Sequence, residues 1–398
     1  VTINNKGETV LYVHLLNALY GLLKAALLYY RKFVADIKSI GFELNPYDRC
    51  VANKMVNGKQ LTLVWHVDDL KVSHVDANVV TRMANWLRKK YEHLFDDGSG
   101  EMKIHRGKIH DYLGMILDFS VPGEVKISMI KFIEELIKLF EKYDKTSKTA
   151  ATPAADHLFK VRPDAEQLTQ QLAQAFHNIT AKSLFVTKRA RPDIATAVAF
   201  LTTRVKNPDE DDWKKLTRMV RYLRGTKNMC LILRADAANI IKLIWWTDGS
   251  HGVHPDMRGH AGGCLSAGRG VITAGSTKLK LNTISSTETE LVSASDFLPQ
   301  ILWTQYFVQA QGYDTDTVLN QDNQSAILLE KNGMASSSKR TKHINVRHFF
   351  ITDHINNMKE LRVIFCPTEE MIADFFTKPL QGKLFIKFRK FIMNLPDE

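Results

Sequence analysis

Cysteine is scarce in this chain. There are four in 398 residues, Cys50, Cys230, Cys264 and Cys366, and none stands at metal-ligand spacing from another. That spacing speaks against a disulfide-stapled scaffold or a cysteine-built zinc site, and reduced thiols in an intracellular protein are expected. Long apolar runs are missing too. None reaches the ~20 residues that a membrane-spanning helix requires, so no membrane partner is expected. No secretory leader pattern opens the sequence. It starts at Val1, directly in strand-like material, which reads as a fragment of something longer. Negative charge is in deficit, with 43 Asp and Glu against 54 Lys and Arg, for a formal net charge of +11. That balance favours a polyanionic partner and says little about fold. The length suits two to three domains with ample chain for a core.

The acids that are present recur at strand ends in the last third. The stretches are IKLIWWTDGS, ISSTETELVSASD, VLNQDNQSAILLEKN and RVIFCPTEEMIADFFTKPL. In the first, apolar residues run almost unbroken to Trp246, as in a strand buried on both faces, and Asp248 follows at its end. Val318 and Leu319 lead in the same way to Asp322. Val363, Ile364 and Phe365 lead to a helix that carries Asp374. A lone Asp after a strand is commonly a turn residue, and Asp322 also fits a helix N-cap. The recurrence suits metal-dependent phosphodiester hydrolysis, in which two divalent cations ~3.5–4 Å apart stabilise the attacking and the leaving oxygen. Mg²⁺ prefers oxygen ligands and keeps several waters, so carboxylates with open positions suit it. Such carboxylates repel one another and are tolerated chiefly because cations lie among them. A glutamate completes the set, and two are available. Ser285 with Glu288, and Thr287 with Glu290, both fit a capping box that merely starts the helix.

Earlier in the chain, the pattern over 11–40 is helical and ends at Gly41. Leu61, Leu63, Trp65 and Val67 alternate at strand period, then Asp68 and Asp69 precede a second short run. That predicts a hairpin with two adjacent carboxylates at its tip: a polar turn, or a metal-binding pair of a polymerase. A core helix is expected over 78–95, a loop at 96–100, strands near 102–109 and 112–119, and an amphipathic helix over 130–143. Residues 145–167 read as a linker by composition. Helices follow at about 168–176, 192–205 and 209–225, and the last of these turns Lys214, Lys215, Arg218, Arg221 and Arg224 away from its apolar stripe. They are solvated cations or phosphate contacts. Strands are expected at 240–247, 261–266, 271–274, 278–283, 317–321 and 360–365, with a long helix from about 286, kinked at Pro299.

TLVWHVDDLKVSH resembles the YVDD hairpin of reverse transcriptases, with His66 in the usual Tyr position. LLNALYGLLKAALLYYRKF is similar to the ALYGLKQAPRAWY segment of Ty1/copia-type retrotransposon polymerases. DYLGM, RPDIATAVAFL, SSTETE, QDNQSA, RTKHINVRHFFI and ADFFTKPL resemble later segments of the same Pol polyprotein, in the same order.

The resemblance implies a fold of α/β and α+β class. A partial reverse-transcriptase palm and thumb (1–144) and a linker with a helical connection (145–235) precede an RNase H-like mixed sheet with helices on its faces (236–398). It implies that Asp248, Glu290, Asp322 and Asp374 bind two Mg²⁺, with Mn²⁺ as an alternative and Glu288 as the other candidate glutamate. It implies that Asp68 and Asp69 are the polymerase's metal-binding pair. The expected activity is cleavage of RNA paired to DNA, and the expected partners are an RNA–DNA hybrid or other nucleic acid duplex and further parts of the polyprotein. The family setting is a cytoplasmic particle or the nucleus. Lys339, Arg340, Lys342 and His343 are expected to hold phosphates, and the CPTEE loop before the last helix lacks the histidine that many nucleases of this fold carry there. The polymerase is expected to be inactive. The strand for its remaining Asp would precede Val1, and Leu23, Ala26 and Leu27 stand where the family has Lys, Pro and Arg. The alternative is a decayed remnant that binds duplex and cleaves nothing.

Overall fold

Alternation of large apolar side chains builds the first of two compact units, Val1–Ile104 and His105–Glu398. The computed structural model describes residues 1–11, 22, 24–92, 100–235, 240–333 and 345–396, and for 345–349 the backbone alone. In the first unit, strands Glu43–Leu44, Val51–Val56, Lys59–His66 and Asp69–Ser73 form an antiparallel meander. Leu61, Leu63 and Trp65 all point to one buried face, as period two requires. Helices Ala25–Ser39 and Ala77–Tyr91 cover that face with Phe33, Ile37, Val79, Met83 and Leu87. Asp76 caps the second helix by accepting from Asn78 N. The helix expected over 11–40 is seen from Ala25; its earlier part and the 96–99 loop fall largely outside the described residues.

In the second unit, antiparallel strands Ile109–Tyr112, Met115–Asp118, Glu124–Ser128 and Leu231–Ala235, with Gly268–Arg269, make one sheet. The strand expected from 102 starts only at Ile109, after Gly107 turns the chain at φ 128°. Helices Ile130–Phe140, Gln170–Thr187, Ala195–Arg204 and Glu210–Gly225 follow. The last opens on a reciprocal capping box between Asp209 and Asp212. Its basic face is spent on the chain itself. Lys214 pairs with Glu210 and Asp211, and Lys215 donates to the Lys160 carbonyl. Arg218 donates to Thr152, Arg221 pairs with Asp144, and Arg224 donates to the carbonyls of Thr146 and Lys148. The bonds from Lys215, Arg218 and Arg224 hold residues of the 145–167 stretch, and Ala154 and Leu158 of that stretch enter the core. The borders expected at 144/145 and 235/236 both lie within this unit, whose largest core draws on residues from Met129 to Met393.

The remaining elements are β1 (Ile240–Ser250), β2 (His260–Ser266), β3 (Thr273–Lys278), α1 (Ser286–Ala310), β4 (Asp314–Gln321), α2 (Gln324–Asn332), α3 (Asn345–Asn356), β5 (Arg362–Phe365), α4 (Asp374–Thr377) and α5 (Gly382–Met393). The sheet order is β3-β2-β1-β4-β5. The first three strands are antiparallel; β1, β4 and β5 are parallel. One strand, β3, stands where two were expected, and α1 runs on through Pro299. Leu243 and Trp245 of β1 face a core shared with Leu291, Leu298 and Ile301 of α1. Trp246 faces the other core, with Phe376 and Phe388. Burial on both faces is why this strand reads as an unbroken apolar run.

Candidate metal centre

Because β1 and β4 run parallel, with Trp246 opposite Asn320, their carboxyl ends reach the same rim. Asp248 lies near the end of β1, and Asp322 directly follows β4. Two glycines let helices descend on this rim. A Cβ on Gly249 would lie 2.7 Å from the Thr289 carbonyl oxygen, and one on Gly262 would lie 2.6 Å from Thr377 Cγ2. Only glycine permits backbones to approach so closely. The first helix to settle there is α1, whose Ser293 hydroxyl donates to the Asp248 carbonyl at 2.6 Å. The second is α4, which packs against β2 beside Gly262, with the Thr377 hydroxyl donating to Asp248 Oδ2.

The outcome is a cluster. One carboxylate oxygen each from Asp248, Glu290 and Asp322 lie within 4.8 Å of one another. Asp374 stands on the Asp248 side. The Lys378 ammonium links them, 2.6 Å from Asp374 Oδ1 and 3.7 Å from Asp248 Oδ2. Asp248, Glu290 and Asp374 are buried, and Asp322 is half-buried. From the loop before α4, Thr368 donates to Asp322 Oδ2 at 3.1 Å.

Burial, then Asp248 and Asp322, hold the Glu290 carboxyl well above the usual carboxylate range. Asp322 is raised by burial and by Asp248. Asp374 is pushed up to about 7 by burial and by Asp248, against the pull of Lys378. Burial would lower Lys378, but Asp248 and Asp374 outweigh it and the ammonium is favoured. Glu290 Oε2 is buried with no hydrogen-bond partner. A buried carboxylate oxygen without a donor is costly, and Glu290 with the two acids that repel it, Asp248 and Asp322, makes an all-oxygen donor set that fits a hard divalent cation.

The two candidate glutamates are separated by geometry. Ser285 caps α1 by accepting from Glu288 N, and Glu288 Oε2 accepts from Ile284 N at 2.7 Å, so Glu288 works at the helix start and Glu290 enters the cluster. Asp322 is not the cap of α2; Asn323 is. The structure therefore assembles Asp248, Glu290 and Asp322, with Asp374 alongside.

Asp68 and Asp69 lie in the first unit. His66 pairs with Asp69 across the hairpin, and Val67 holds φ 56° in the turn, a left-handed conformation rare for a β-branched residue. Both acids are exposed, and among the described residues no third potential ligand joins them in a cluster. Lys339, Arg340, Lys342 and His343 fall outside the described residues. Thr377 and Lys378 were not singled out from the sequence. The available signal was the spacing of four between Asp374 and Lys378, which lets an acid and a cation meet along a helix.

No model of a known protein family matches the chain. It is 30% identical over 380 residues to the retrovirus-related Pol polyprotein from transposon TNT 1-94 of Nicotiana tabacum, covering 94% of this chain and 27% of that polyprotein. The chain thus spans about a quarter of the length of that relative. It is 27% identical to a putative transposon Ty5-1 protein of Saccharomyces cerevisiae, covering 72% of this chain and 89% of that protein. Among solved structures, a foamy viral protease–reverse transcriptase in complex with RNA/DNA hybrid covers 96% of this chain and 40% of its own, at TM-score 0.50 and 12% identity. That likeness concerns fold, and it agrees with a reverse-transcriptase-like region joined to an RNase H-like mixed sheet. The homologues of this chain are Ty1/copia-type retrotransposon Pol polyproteins, and the likeness runs along about 94% of its length.

Proposed function

We propose that this chain is a retrotransposon-derived ribonuclease that cuts the RNA strand of an RNA–DNA hybrid, attached to a reverse-transcriptase region that does not polymerise by itself. The observation that carries the reading is the convergence of Asp248, Glu290 and Asp322, of which Glu290 keeps a buried Oε2 without a hydrogen-bond partner.

Asp248, Glu290, Asp322 and Asp374 would hold Mg²⁺. When bound, the metal supplies charge stabilisation for the attacking and leaving oxygens and a nucleophile at neutral pH. The residues of this chain do the positioning. Thr377 fixes the Asp248 carboxylate from one side, and Ser293 holds its backbone. Thr368 orients Asp322. The half-buried Asp322 sits at the open edge of the cluster, where a duplex backbone would arrive. Contacts to 2′-hydroxyls and to A-like duplex shape would select the RNA strand. The chain's net charge of +11 suits a polyanion. By the same reading its setting is a cytoplasmic particle or the nucleus.

The test is a hybrid labelled separately on each strand, incubated with the full chain in Mg²⁺ or in EDTA. The expected result is Mg²⁺-dependent cutting of the RNA strand alone, with Asp248→Asn as the blank. No cutting under any condition would return the alternative, a remnant that binds duplex without cleaving it.

The polymerase reading is supported by the exposed Asp68 and Asp69, unaccompanied by a third carboxylate among the described residues. It is also supported by exposed Leu27, which stands where the family has arginine and offers a phosphate no donor. A primer–template extension assay with this chain alone is expected to yield no template-directed product, and synthesis above the blank would refute this half of the proposal.

A further inference from the structure

Lys378 has no assigned part in the reading above, yet it touches two of the four acids. It directly follows α4, and its backbone N–H bonds to the Asp374 carbonyl at 2.9 Å while its ammonium bonds to the same residue's Oδ1 at 2.6 Å. Pro379 follows and restricts its backbone. The pair is therefore held at both backbone and side chain, unlike a loose surface ion pair. The ammonium also lies 3.7 Å from Asp248 Oδ2. Asp374 is the one acid of the four outside the group whose ligand oxygens lie within 4.8 Å.

We infer that Lys378 is a resident counter-cation closing the Asp374 side of the cluster, so that one divalent ion is taken readily on Asp248, Glu290 and Asp322 and a second only when Lys378 moves away. This rests on the proposed reading of the cluster as a metal site. Charge counting leads to the asymmetry. Four carboxylates and one ammonium sum to three negative charges when all are ionised. One divalent ion leaves one negative charge, whereas a second turns the net charge positive and meets the ammonium at close range beside Asp374 and Asp248. Like charges at such separations in a partly buried site repel strongly. With Lys378 removed, four negative charges match two divalent ions. Lys378 would thus hold Asp374 and Asp248 in place before loading and set an order in which the ions are taken.

The experiment counts Mn²⁺ bound to the full chain, by the electron paramagnetic resonance signal of free Mn²⁺, for the wild type, Lys378→Met and Lys378→Arg. The wild type and Lys378→Arg are expected to take one ion readily and a second far more weakly. Lys378→Met is expected to take two, with the second tightened by about 10-fold or more, a coupling of ordinary size. If Lys378→Met fails to fold, Lys378→Gln, which can still donate to Asp374, is read by the same criteria. Unchanged second-ion affinity in the neutral variant, or two equal ions in the wild type, overturns the inference while leaving the metal site standing. No Mn²⁺ on any form removes the metal site and the inference together.

Discussion

Glu290→Gln is expected to cripple hybrid cleavage and at the same time to make the metal-free protein more stable. Its carboxyl is buried, faces Asp248 and Asp322, and has one oxygen with no hydrogen-bond partner. A carboxyl raised in the folded state contributes stability that is fully present below its unfolded pKa, near 4.5. That contribution is lost as pH rises through the elevated folded value. At pH 8 the wild type without metal therefore carries more of this strain than at pH 4, and the isosteric amide carries none. Urea unfolding in EDTA is expected to favour Glu290→Gln over the wild type at pH 8, and to favour it much less at pH 4, where both side chains are neutral. With Mg²⁺ present the order reverses, because only the wild type gains binding free energy, ~2.7 kcal/mol at a hundred times Kd. Cleavage is expected to fall on the order of 10³-fold, about 4 kcal/mol of lost transition-state stabilisation. Equal stabilities in EDTA at pH 8 would mean that Glu290 is not strained by its neighbours, and wild-type cleavage by the variant would remove it from the site.

Much of this site was legible because strand ends announce themselves. The run to Trp246 is apolar on both faces since β1 lies between two cores, and Asp248 interrupts it at the rim. The parallel pairing of β4 beside β1 then brings Asp322 to the same rim. The choice between Glu288 and Glu290 was legible only through the family resemblance, which favoured Glu290, the glutamate found in the cluster. Local spacing leaves both open, since both satisfy the same capping pattern; the Ile284 N–H meeting Glu288 Oε2 and the place of Glu290 in the cluster separate them. The basic helix Glu210–Gly225 misled for a related reason. Amphipathic spacing marks which face leaves the apolar stripe, but Asp144 and the carbonyls of Thr146, Lys148 and Lys160, more than 50 positions away, decide that those cations serve the chain. Segment 145–167 looked like a tether because its composition is small and polar. Ala154 and Leu158 anchor it in the core, and Ala150, Phe159 and Val161 pack against the same cluster.

Gly249→Ala is expected to cost more stability than its single methyl group suggests, and to cost activity with it. The added Cβ would sit 2.7 Å from the Thr289 carbonyl oxygen and 2.8 Å from its carbonyl carbon. Both obstacles are backbone atoms of α1, so no side chain can rotate to make room. Relief requires α1 to lift from β1, which breaks the Ser293–Asp248 bond and carries Glu290, one residue beyond Thr289, away from Asp248. Overpacking typically costs ~1–3 kcal/mol, and the backbone obstruction places this case near ~3 kcal/mol. Displacing a catalytic group by about 1 Å can by itself cost ~100-fold in rate. Gly7→Ala, where an added Cβ meets nothing within 4 Å although φ is 79°, gives the comparison for backbone strain alone and is expected to leave cleavage unchanged. Urea midpoints and hybrid cleavage measured on both variants check the prediction. A Gly249→Ala protein as stable and as active as Gly7→Ala would show that α1 does not bear on Asp248 as closely as the structure has it.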